Sequence, residues 1–129
     1  MAETITKPCV TGLIPLAAVA SVERSVDFYK LLGMEIRDSL RNAAGDLQWV
    51  HVSSEQADLM LTRASEPLTI GRQAVSFYLY SPDLIALREH LLASGVKKAS
   101  GITYPEYMPK GEIRVDDPDG YVLLIGQAG

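Results

Sequence analysis

A chain of 129 residues, 47% of them hydrophobic and 22% charged, has room for one folded domain with a proper core and reads as an ordinary globular protein. Its formal net charge of -4 comes without any Lys/Arg cluster, which argues against a phosphate-binding surface and so against nucleic acid as a partner. The single cysteine, Cys9, cannot close an internal disulfide and fits a reducing compartment. No apolar run approaches the roughly 18 residues of a membrane span, and MAETITKPCV lacks the basic-then-apolar pattern of a signal peptide. A cytoplasmic protein with no membrane partner is expected.

Residues 14–20 read as a short apolar strand, and Ser21 as the N-cap of a helix with Glu23 in its positive first turn. Val22, Val26 and Tyr29, flanked by Phe28 and Leu32, give that helix one broad apolar face over about 22–32. Gly33 follows at the left-handed C′ place. Residues 34–40 alternate as a strand, with Met34, Ile36 and Leu40 on one side and Glu35, Arg37 and Ser39 on the other. After a turn at 42–46, residues 47–53 set Val50 and Val52 against Trp49, His51 and Ser53. Residues 57–63 set Leu59 and Leu61 against Asp58, Met60 and Thr62. The order is βαβββ.

Residues 64–72, with Pro67 and Gly71, read as a linker, and the order then returns. AVSFYLY is a strand, and Ser81, Pro82 and Asp83 follow as N-cap, fixed-φ first residue and dipole-compensating acid. Leu84, Leu87 and Leu91 form a core stripe, and Gly95 takes the place of Gly33. Residues 96–100 read as a short strand, GITYPEYMPK as a loop rich in Tyr and Pro, and 112–116 as a strand. Asp117-Pro118-Asp119-Gly120 reads as a tight turn, and 121–127 as the closing strand. Two modules, about 10–63 and 73–127, are thus predicted within one domain spanning 1–129.

In each strand one face is more aliphatic and a helix is available to cover it. The fold class expected is α+β: two βαβββ modules whose two four-stranded sheets curve around a shared cleft. The opposite faces would line it with Ala18, Trp49, His51, Asp58, Met60, Ala74, Ser76, Tyr78, Glu112, Arg114, Val122 and Leu124, a mixed polar and aromatic surface of the kind that binds small molecules. A sheet face left to solvent or covered by a second copy is the structural alternative.

VASVERSVDFYKLLGMEI and DDPDGYVLLIGQ resemble the first strand-helix-strand and the last turn and strand of the vicinal oxygen chelate superfamily. That group includes glyoxalase I, extradiol dioxygenases, and fosfomycin- and bleomycin-resistance proteins. The resemblance spans essentially the whole chain. Enzymes of the superfamily hold a divalent metal through His, Gln or Glu at positions that align here with Ile14, Met60, Ala74 and Leu124. None of these is a conventional ligand, so the resemblance implies no metal and no cofactor. Pro15, the LML of 59–61 and the Gly-Gln ending most resemble the bleomycin-resistance-like branch. It implies a homodimer that binds a small organic molecule in crevices shared by two chains.

The residues expected to meet a ligand are Trp49, His51, Asp58, Met60, Ser76, Tyr78, Tyr104, Tyr107, Glu112, Arg114 and Leu124; none is assigned a catalytic role. Trp49 is either a stacking platform or a rim residue, and His51 either a hydrogen-bonded structural histidine or a proton carrier. Tyr104 and Tyr107 sit on a loop that closes over a ligand or simply moves at the surface. Three acids, Asp58, Glu112 and Asp116, keep a second function open, a lyase, isomerase or dioxygenase relative working without the usual metal. A pure interaction subunit is a third. Gly-rich phosphate loops, nucleophile elbows and paired CxxC motifs are absent from the sequence.

Overall fold

A computed structural model describes residues 4, 7, 9–69, 71 and 73–129. Parts of the predicted lead-in and linker (1–3, 5, 6, 8, 70 and 72) lie outside the described residues. The first module runs β1 (Leu16–Val19), α1 (Val22–Lys30), β2 (Glu35–Arg41), β3 (Leu47–Ser54) and β4 (Ala57–Arg63). The second runs β5 (Ser76–Ser81), α2 (Leu84–Ala93), β6 (Glu112–Asp116) and β7 (Val122–Gln127). The strand order is β1-β4-β3-β2 in one sheet and β5-β7-β6 in the other. Each sheet has one parallel pair, β1 with β4 and β5 with β7, and is otherwise antiparallel. Both are therefore mixed sheets, and the repeat read from the sequence is a repeat of topology.

The α1 helix starts where its cap chemistry says it should. Ser21 is extended, its hydroxyl accepts from the Arg24 N–H, and Gly33 follows at φ +84°. The start of α2 differs from the expectation. Ser81 ends β5, and Asp83 is the N-cap, its Oδ1 accepting from the Ala86 N–H at 3.0 Å. A second capping group comes from the far end of the module: Gln127 Oε1 accepts from the Leu84 N–H at 2.9 Å, while its Nε2 donates to the Pro82 carbonyl. With Pro82 just after a strand, an acid one residue later is the better cap, because it can reach the amides of a first turn that begins at Leu84.

Two further expectations are corrected. The strand predicted at 96–100 is reduced to a single bridge, Ala99 to Val115, so the second sheet has three strands rather than four. In β2, Ile36 pairs with Val52 but the next pair is Asp38 with His51, which leaves Arg37 as an extra residue in a bulge. The bulge resets the alternation. Ile36 shares a face with the core residue Val52, whereas Leu40 pairs with Trp49 on the opposite face and is 64% exposed. Strict period-2 alternation puts Ile36 and Leu40 on one face.

The core runs through both modules. Val19, Val22, Tyr29, Val50, Val52 and Leu61 from the first are joined by Leu84, Leu91, Ile113, Val115, Leu123 and Ile125 from the second. Removing the side chain of a residue such as Leu61 costs about 2–5 kcal/mol. The turn between β6 and β7 crosses between the modules and clasps them. Asp119, buried, accepts from the Ala20 N–H at 3.2 Å and from Arg24 at 3.0 Å, and Ser25 approaches it at 3.4 Å. Tyr29 donates to Asp117 Oδ2 at 2.8 Å, and the Tyr121 hydroxyl to the Ala18 carbonyl at 2.8 Å. Burial pushes the Asp117 carboxyl above its ordinary value, against the hydrogen bonds that pull it down.

Candidate functional site

Apart from the loop residues Tyr104 and Tyr107, the residues predicted to meet a ligand fall into two groups, one on each sheet, on the faces turned away from the helices. On the first sheet, strand pairing fixes the rows. Trp49 sits between Leu40 and Thr62, and His51 between Asp38 and Met60, with Leu16 beyond Met60. Asp58 lies one rung further, opposite Ser53. His51 Nε2 is 2.7 Å from Asp58 Oδ1, and His51 is only 9% exposed. Arg37 comes within 3.8 Å of the same oxygen. Arg37 is absent from the residues expected to meet a ligand; alternation after Ile36 sets it on this face, and pairing of β2 with β3 is what brings it beside Asp58.

On the second sheet, Glu112 is the centre. It starts β6 and is 7% exposed, with Tyr78 donating to Oε2 at 2.5 Å and Tyr107 to Oε1 at 2.8 Å. Both phenols are raised above the ordinary tyrosine value, first by the hydrogen bond to Glu112, then by desolvation and by the carboxylate charge. They therefore act as donors. Tyr78 belongs to β5, where it pairs with Leu124, which in turn pairs with Arg114. Arg114 turns sideways to Asp116, 3.2 Å away, and leaves Glu112 to the tyrosines.

The loop 101–111 reaches over this face. Its Met108 lies so close to Gly126 that a side-chain carbon there would meet Met108 Cε at 2.7 Å and the Tyr78 hydroxyl at 3.1 Å. Gly126 thus leaves the room that Met108 and Tyr78 occupy. The loop is tied back at Thr103, whose amide and carbonyl both bond to Glu112's main chain. Tyr104 does not join the cluster; it is exposed, and its ring lies by Gly111.

Between the modules runs a cleft of about 840 Å³, walled by β5 from Ser76 to Ser81, by Leu32 and Met34 after α1, and by the β3–β4 turn with Asp58. Of the residues predicted to contact a ligand, Asp58, Ser76 and Tyr78 line it, so it touches both groups without containing either. A shallower depression of about 250 Å³ between Phe28, Gly95, Lys97 and Pro118 holds none of them. The cleft has the volume of a site for a drug-sized molecule; the depression is a notch behind the clasp. Tyr78 and Tyr80 stand side by side along the cleft, ring centres 5.3 Å apart.

Comparison with known proteins agrees with this architecture. A crystallised bleomycin-binding protein complexed with bleomycin is 18% identical and superposes with a TM-score of 0.74 over 93% of this chain and 100% of its own. TnmS3, an antibiotic-binding protein from Streptomyces sp. CB03234, is 20% identical with a TM-score of 0.71, over 95% of this chain and 100% of that one. TioX from Micromonospora sp. ML1 is 16% identical with a TM-score of 0.72, over 90% and 98%. At these identities the likeness is one of fold. No protein with a curated description matches the sequence, and among the described residues no helix is long and apolar enough to cross a membrane. A family model matches residues 13–125, from the lead-in to β1 through most of β7: the chain belongs to the Glyoxalase/Bleomycin resistance protein/Dioxygenase superfamily.

Proposed function

We propose that this chain is a metal-free, cytoplasmic binding protein for a small organic molecule, flat and aromatic with a cationic part, and that it works as a homodimer of single-domain chains. The observation that carries the reading is the tyrosine wall of β5 beside the cleft, with Tyr78 held to the shielded acid Glu112. Aromatic faces stack on flat ligands for about 1 kcal/mol each. Glu112, with Arg114 drawn aside to Asp116, leaves negative potential for a cation. The structural relatives named above as binding bleomycin or an antibiotic lend the reading their example.

The donors present do not fit the metal held by the superfamily's enzymes. Ile14, Met60, Ala74 and Leu124 offer three apolar side chains and a thioether. Among the described residues no three His, Cys, Asp or Glu side chains gather as a metal site would require. A dimer is supported by the exposed apolar residues Leu13, Leu16, Leu40 and Tyr80, and by the free edges of β1 and β5. Titration of bleomycin and of planar aromatic cations, followed by Trp49 fluorescence, tests the reading. Saturable quenching that weakens in Tyr78→Ala is expected. Silence toward every aromatic cation, with tight binding of a phosphonate, would refute it.

A further inference from the structure

We propose that His51 and Asp58 form a proton-accepting pair that takes the proton of an acidic hydroxyl on the bound molecule, making the ligand class a hydroxylated aromatic held as its phenolate. This rests on the binding reading above and names the polar group that the first sheet recognises. Asp58 Oδ1 lies 2.7 Å from His51 Nε2. An ionised carboxylate only accepts hydrogen bonds, so Nε2 carries the hydrogen and Nδ1 keeps the lone pair. No described residue donates to Nδ1, and among the described residues no sealed side-chain nitrogen or oxygen lacks a partner. Nδ1 therefore opens to the surface, although the ring as a whole is held in place.

The surroundings suit an aromatic alcohol. Met60 lies directly across from His51 and Leu16 beyond it. Trp49 shares the face two residues back, roughly 7 Å along the strand. A ring resting on that apolar floor brings a substituent to Nδ1. The charged groups facing His51 are Asp58 on β4 and, on β2, Asp38 directly opposite and the bulged Arg37. In the step itself the ligand O–H bond breaks, its electron pair stays on oxygen, and the proton passes to Nδ1. The product is a phenolate beside an imidazolium whose other N–H remains on Asp58, with no change of oxidation state. Asp58 acts as a positioning residue.

The test uses 4-nitrophenol and its methyl ether, 4-nitroanisole, in buffer below the phenol's own pKa. Binding is read by Trp49 fluorescence and ionisation by the nitrophenolate absorption band. The wild-type protein is expected to raise the band in proportion to bound phenol and to bind the ether roughly tenfold more weakly. His51→Gln should bind both alike with no band. Asp58→Asn, which keeps an accepting oxygen but loses the charge, should weaken the band at equal occupancy without abolishing it. Equal binding of phenol and ether with no band, or a band that survives His51→Gln, would overturn the proposal and leave the binding reading standing. Failure of every aromatic probe, cationic ones included, to perturb Trp49 would remove both.

Discussion

Two regions of this protein join a carboxylate to a tyrosine hydroxyl, and they serve different ends. In the clasp, Tyr29 donates to Asp117 at 2.8 Å, and the phenol is 1% exposed, packed between α1 and the β6–β7 turn. On the second sheet, Tyr78 donates to Glu112 at 2.5 Å with a ring that is 39% exposed beside the cleft. The bond is the same; the solvent is not. In the clasp both partners lost their water when the modules closed, so the bond recovers a desolvation cost and holds the two halves together. At the sheet face only the acid is sealed, and the aromatic surface is left for something else. Burial of the donor, more than the bond, separates structure from recognition.

Variants can break this contrast, and the clasp should give the larger effects. Asp119→Ala strands the Ala20 amide and Ser25 and releases Arg24 to water; it should cost about 2–3 kcal/mol in urea unfolding. A loss as small as that of a surface substitution would mean that the turn does not hold the modules. Tyr29→Phe should cost about 1–2 kcal/mol near neutral pH, because Asp117 loses its donor.

The same variant carries a pH signature. Burial, followed by the Asp117 charge and hydrogen bond, raises the Tyr29 phenol above its ordinary value of 10.0. A phenol that holds its proton more tightly when folded adds stability at every pH below the unfolded value. That stability drains away as pH climbs past it toward the folded one, at about 1.4 kcal/mol per unit. Wild-type melting temperature should therefore fall steeply above about pH 10, and Tyr29→Phe should flatten the slope. Parallel curves would exclude Tyr29 as the source.

Smaller effects belong to the sheet face. Gly126→Ala pushes a carbon against the ends of Met108 and Tyr78, both side-chain tips that can move. It should change stability by less than about 1 kcal/mol while freeing the loop, seen as faster amide exchange at 104–108. Tyr107→Phe should leave stability within about 0.5 kcal/mol and weaken binding of aromatic cations. A stability loss matching that of Tyr29→Phe would erase the contrast between the two regions.

Much of the fold could be read from local chemistry. Ser21, Gly33 and Gly95 mark helix ends that need only a few neighbouring residues to be understood, and the aliphatic faces of β3, β4, β6 and β7 are the ones buried. What escaped depends on distant partners. The β2 bulge is set by pairing with β3, so nothing near Arg37 announces that it will stand beside Asp58. The DPDG turn reads as a turn, but its acids find Tyr29 and Arg24 nearly a hundred residues earlier in the chain. Residues 96–100 alternate well enough for a strand, yet only Ala99 bridges to β6. Of the site, residue types and faces were legible; the two-group arrangement and the pairing of Glu112 with Tyr78 and Tyr107 were not.

The parallel pairs have a consequence for how the protein is made. Leu16 waits for Met60, and Ser76 for Val122, across roughly 45 residues of chain in each case. In each module the strand that seats the first one is the last to be synthesised. The β3–β4 hairpin can close within microseconds, but β1 has no neighbour until β4 has left the ribosome, and β5 none until β7 has. Each half should thus fold late and in a burst, with its helix lacking a completed sheet to pack on in the meantime. Ribosome-stalled chains ending before Val122 should consequently protect the first module from protease and leave the second open to it.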